Sequence, residues 1–183
     1  MLTALGTALA ASSVAIRAQT EKKASASTSI AEAAPAADPS PGTIEETSAA
    51  QRTVGGGAIE SFKVTSRGST SVVTVRQAAG NSGDAIITID GQEIRISSKS
   101  QFDIRKPVTA STAKGSSNFW TCMIASMVKQ IGQAAWDKIK NNYQSMWNST
   151  VGKPFWARVA SFLKSALTLP YASYALIALK ACK

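Results

Sequence analysis

From Ile59 the chain alternates apolar and polar positions with a period of two. The runs "IESFKV", "SVVTVR", "AIITI", "QEIRIS" and "QFDIR" are short, β-prone and separated by turn residues such as "GNSGD" and "DG". Within "AIITIDGQEIRIS", the pair Asp90-Gly91 suits a two-residue turn with positive φ at both positions. Folding there sets Ala85, Ile87 and Ile89 beside Ile94 and Ile96 on one face, with Thr88, Glu93 and Arg95 on the other. The pattern predicts an antiparallel meander of four or five strands over residues 59–105. One of its faces is apolar and needs a cover.

Past residue 117 the period lengthens. At 100° per residue Trp120, Ile124, Met127, Val128, Ile131, Ala135, Ile139 and Met146 share an arc; Ser126, Lys129, Gln133, Asp137, Lys140 and Gln144 lie opposite. Asn118 is placed to cap this helix and Gly132 to bend it. Lys138 falls inside the apolar arc, so its ammonium has to reach outward past it. "NSTVGKP" breaks the pattern, and Pro154 fits the first turn of a second helix. There Phe155, Trp156, Val159, Phe162 and Leu163 oppose Arg158, Ser161 and Lys164. Pro170 kinks or restarts the chain. The uncharged run 165–179 is fifteen residues, short of the ~20 that span a bilayer.

Upstream, "LTALGTALAASSVAI" (2–16) has the length and composition of a signal-peptide core, although no Lys or Arg precedes it. Residues 1–26 are read as a signal region, the alternative being a short Ala-rich helix. Residues 27–58 carry Pro35, Pro39, Pro41 and a triple glycine but no aromatic. Such a stretch cannot bury enough apolar surface to offset its ordering entropy, so a disordered spacer is expected.

Charge divides the chain in the same way. Residues 1–58 sum to −1, 59–115 to +3 and 116–183 to +7, and ten of the twelve aromatics fall in that last part. Cys122 and Cys182 stand near its two ends. In an exported protein such a pair reads as a disulfide, in a cytosolic one as two thiols.

Chemistry is constrained by what is missing. No His occurs anywhere, which removes Ser-His and Cys-His triads and most zinc sites. Two Cys sixty residues apart form no metal motif, and the C-terminal segment holds one carboxylate, too few for paired-carboxylate hydrolysis. No Gly-rich phosphate loop follows a strand. Neither an enzyme nor a cofactor is expected, and nucleic acid is a poor fit to scattered lysines without a motif.

Trp and Tyr favour the bilayer interface, and Lys reaches anionic headgroups. The candidate membrane-contacting residues are Trp120, Trp136, Trp147 and Phe155, together with Trp156, Phe162, Tyr171 and Tyr174. Candidate headgroup-binding residues are Lys129, Lys138, Lys140 and Lys153, together with Arg158, Lys164, Lys180 and Lys183. The segment 106–117 is polar and aperiodic, and with Arg105, Lys106 and Lys114 it offers basic sites to a protease.

A leader, a long pro-region and a terminal cationic, Trp-rich helical peptide with one cysteine pair together resemble a bacteriocin precursor of the non-lanthionine type. The resemblance implies a secreted chain whose 118–183 segment is released by a processing protease and permeabilises anionic bacterial membranes, with an immunity protein as a further partner. The patterning along the chain predicts an α+β fold: a disordered N-terminal region, a small β meander and a disulfide-closed cationic helical bundle. A different class stands beside it, a secreted or cell-surface structural or interaction protein whose C-terminal helices form a permanent domain. For the β unit, a ligand-binding or adhesive sheet is the alternative to a cover for the helices.

Overall fold

The Asp90-Gly91 hairpin forms where its residues place it, with φ of 50° and 84° at the two turn positions. Ala85 pairs with Ile96, Ile87 with Ile94 and Ile89 with Gln92. The computed structural model describes residues 36–52, 57–80, 83–105 and 118–182. The chain divides between Ala36 and Ala37, and all that follows concerns the larger unit. The signal region 1–26, the first part of the spacer and the segment 106–117, with Lys106 and Lys114, lie outside the described residues, as does Lys183.

Among the described residues there are five strands, β1 (Thr43–Arg52), β2 (Ala58–Ser66), β3 (Ser69–Gln77), β4 (Ala85–Ile89) and β5 (Gln92–Ile96). They pair antiparallel in sequence order, a meander. Four helices follow, α1 (Phe119–Ile131), α2 (Gln133–Asn148), α3 (Phe155–Ala166) and α4 (Ala172–Ala181). The fold is α+β. One sheet face carries rows such as Phe62, Val73 and Ile89, then Val75, Ile87 and Ile94, all buried. The opposite face is polar, with Ser61 bonded to Thr74 and Thr65 to Thr70, each at 2.9 Å, and Arg76 paired with Glu93.

The apolar face is covered by the helices. Helix α3 lies on β3 and β4, while α1 packs on α4 and α2. Phe102, Trp120, Trp147 and Phe162 form one aromatic cluster with ring centroids 5.0–5.6 Å apart. Asn118 caps α1 by accepting a hydrogen bond from Trp120 N at 3.0 Å. A disulfide joins Cys122 in α1 to Cys182 just past α4.

Three expectations need correction. The β unit begins at Thr43 rather than Ile59: β1 comes out of the stretch read as spacer. "TIEETSAAQR" has little apolar patterning because an edge strand is held by its ladder. The ladder to β2 is irregular between Glu46 and Ser48 and between Ser48 and Gln51. Just before β1, Gly42 donates to Leu167 O at 3.1 Å, and a Cβ there would sit 2.3 Å from that oxygen. Only glycine lets the edge strand approach the helical layer so closely.

"QFDIR" is not a strand. Phe102 turns into the aromatic cluster, and Ile104 N donates to the Gln144 side chain at 3.4 Å, so the segment ties the two layers together. The long helix expected to bend at Gly132 instead ends there, since φ of 84° and ψ of 156° lie far from helical values.

Candidate functional site

The residues read as membrane-contacting fall into two groups. Trp120, Trp136, Trp147 and Phe162 are buried in the core. Phe155, Trp156, Tyr171 and Tyr174 are half-buried against it. The amphipathic arcs are therefore real, and in this structure their apolar side is taken by the sheet and by the other helices. Two core polar tips find no partner, the indole N–H of Trp120 and the hydroxyl of Tyr143. Desolvation pushes the Tyr143 phenol above its ordinary value. Tyr143 is not among the candidate aromatics, yet its spacing from Trp136, Ile139 and Trp147 puts it on the buried face of α2, which packs on α3.

The basic residues are also divided. Lys164 reaches through the layer interface to Glu46, at 3.0 Å, and to Glu60. Lys180 binds Asp90 Oδ2 at 2.6 Å. Thus two of the candidate headgroup ligands instead clamp α3 and α4 to the sheet. Lys140 pairs with Asp137 at 2.7 Å and Lys153 donates to Ser161 Oγ at 2.9 Å. Arg158 stacks over Trp147 at 4.5 Å and donates to Thr150. Lys129 and Lys138 are exposed, so Lys138 leaves the apolar arc. Arg105, a cleavage candidate, is exposed and paired with Asp103. Sequence reasoning missed Glu46, Glu60 and Asp90 as partners, because 90 to 118 residues separate them from their lysines.

These clamps carry a pH signature. Burial pushes the Asp90 carboxyl up, but hydrogen bonds from Lys180, Val72 N and Ser71, with the lysine charge, outweigh it and leave it below the ordinary value. For Lys164, desolvation alone would lower the ammonium; the hydrogen bonds and charges of Glu60 and Glu46 reverse this and raise it. A depressed carboxyl stabilises above its unfolded value and loses that contribution as pH falls through the folded one. A raised lysine stabilises below its unfolded value and loses that contribution as pH climbs through the folded one. Thermal unfolding should therefore show a plateau between about pH 5 and 9, falling on both sides. Asp90→Asn should flatten part of the acid limb, Asp84 supplying another part, and Lys164→Met part of the alkaline limb, Tyr143 supplying another part. An unchanged pH profile in both variants would remove the clamps from the account.

No group of three or more metal-ligating side chains occurs among the described residues. None of their helices is long and apolar enough to cross a membrane. Comparison with known families, with curated proteins and with solved structures finds no match to this chain.

Proposed function

We propose that the chain is an exported antimicrobial precursor in which the sheet keeps a cationic, aromatic-rich helical segment closed until cleavage between Arg105 and Ser117. One observation carries this reading. The apolar face that a bilayer would accept is covered by β2–β5, yet the disulfide closes wholly inside the helical segment. Residues 106–117 are therefore the one covalent connection between the layers along the sequence. A cut there leaves the helices with their own crosslink and the sheet held by contacts alone. The unpartnered Trp120 N–H and Tyr143 O–H add support, since an interface lets the ring stay buried while the polar tip meets water.

A second reading, a secreted or cell-surface interaction domain that stays whole, is favoured by the depth of the shared core and by the Lys164 and Lys180 clamps. Full-length protein with a specific protease site placed in 106–117 separates the two. Before cutting, vesicles of anionic or neutral lipid should stay sealed. After cutting, anionic vesicles should leak far more than neutral ones, with a blue shift of Trp emission. Salt should weaken the effect, because exposed charges are screened within ~8 Å at physiological ionic strength. Sealed vesicles and an unshifted spectrum after complete cutting would leave the intact domain as the function-bearing unit.

A further inference from the structure

Beyond the aromatic core, a cleft of about 340 Å³ opens between the β2–β3 hairpin and α4. That lies in the range of ~300–1,000 Å³ usual for small-molecule sites. Ser66, Arg67, Ser69 and Ser71 form one wall, and Ser173 and Lys180 the other. Leu176 and Ile177 supply an apolar strip between them. Among the described residues lining the cleft there is no carboxylate.

Three features point to a ligand. First, Ser66 is only 5% exposed, and its hydroxyl, like that of Ser173, has no hydrogen-bond partner. A buried hydroxyl without a partner costs stability, and the two residues belong to opposite walls of the cleft. Second, both cations are anchored from outside the cleft and keep donors to spare. Arg67 Nε binds Asp38 at 3.1 Å with its guanidinium over the Tyr174 ring, and Lys180 Nζ binds Asp90. Arginine carries five N–H donors and lysine three, so neither is exhausted by these bonds.

Third, the hairpin turn itself is compromised. Arg67 and Gly68 have φ of 53° and 73°, a turn whose first position favours Asn, Asp or Gly. A long cationic residue there works against the turn and fixes a guanidinium at the mouth of the cleft. The Asp38 carboxylate and the Tyr174 ring offset part of that cost and hold the guanidinium in place.

We propose that this cleft binds a phosphate monoester joined to an apolar group. The tetrahedral head offers three terminal oxygens, enough acceptors for the two hydroxyls and for a cation from each wall. A carboxylate has only two. The apolar group would lie on Leu176 and exposed Ile177. Ser71 plays a different part, donating to Asp90 at 2.9 Å and so steadying the partner of Lys180. Such a head group belongs equally to a soluble metabolite and to an acidic lipid. The proposal does not depend on cleavage, so its failure would leave the precursor reading untouched.

Isotope-labelled full-length chain, uncut, would be titrated with phenyl phosphate, inorganic phosphate and soluble dihexanoyl phosphatidate while amide shifts are followed. Phenyl phosphate should give saturable shifts centred on Ser66, Arg67 and Ser173 and bind at least tenfold more tightly than inorganic phosphate. Preference for the phosphatidate over phenyl phosphate would support a lipid source, and the reverse preference a free metabolite. The Ser66→Ala, Ser173→Ala double variant should weaken binding at least tenfold. Arg67→Asn should weaken it similarly while keeping a turn-compatible residue, with near-ultraviolet dichroism confirming the fold. Lys99→Ala, at an exposed position outside the cleft, should leave affinity unchanged. Unsaturated shifts spread over the exposed lysines, equal affinity for phenyl and inorganic phosphate, or undiminished binding by the double variant would each overturn the proposal.

Discussion

Replacing Trp120 by alanine is expected to lower the unfolding free energy by about 3–4 kcal/mol, the cost of deleting a fully buried indole and leaving a cavity. Trp120 is 0% exposed and touches Phe102, Phe119, Trp147 and Phe162. Its partners come from the connector after the sheet and from three helices, so the ring fastens both layers at once. The unpartnered N–H is removed with it, which trims the loss and places the value toward the lower end of what a Trp→Ala change costs. Urea denaturation at constant m-value measures it. Half-buried Trp156 is the control, expected to cost about 1 kcal/mol on the same scale. A Trp120 variant no weaker than the Trp156 one would mean that the aromatic cluster does not join the layers.

Removing the disulfide, by Cys122→Ser with Cys182→Ser, should cost about 4 kcal/mol on the chain-entropy model for a sequence separation of 60 residues. The intact chain should nevertheless stay folded under mild conditions, because the sheet still covers the helices. An isolated 118–183 segment has no such support and should lose most of its helicity when reduced. Circular dichroism of both, with and without reductant, tests the pair. The oxidised protein should also run two mass units below the reduced form. Equal tolerance of reduction by both species would show that the crosslink serves neither.

What could be read in the sequence was what depends on neighbours along the chain. Asp90-Gly91 fixes its own hairpin, Asn118 caps the turn that follows it, and Pro154 and Pro170 mark breaks through their own ring geometry. Two cysteines admit one intramolecular pairing. Long-range facts were hidden. β1 carries a spacer's composition because a ladder partner, not an apolar stripe, makes it a strand. Glu46, Glu60 and Asp90 are unremarkable acids until folding brings lysines from the helices to them. The deeper ambiguity concerns the helices themselves. An amphipathic arc encodes that something apolar must cover it, and a sheet or a bilayer satisfies the same pattern. Only the three-dimensional structure shows Trp120, Trp136, Trp147 and Phe162 facing protein.

The placement of the crosslink within the helical segment has a consequence for concentration. While 106–117 is whole, sheet and helices meet as parts of one molecule, at an effective concentration that does not change on dilution. Severing that tether changes none of the contacts, yet it turns one molecule into a complex of two. Its survival then follows mass action, complete where the pieces are crowded and failing as they spread below their dissociation constant. A severed chain would remain paired where it is concentrated and come apart where it is dilute, so that dilution sets when the aromatic face becomes bare.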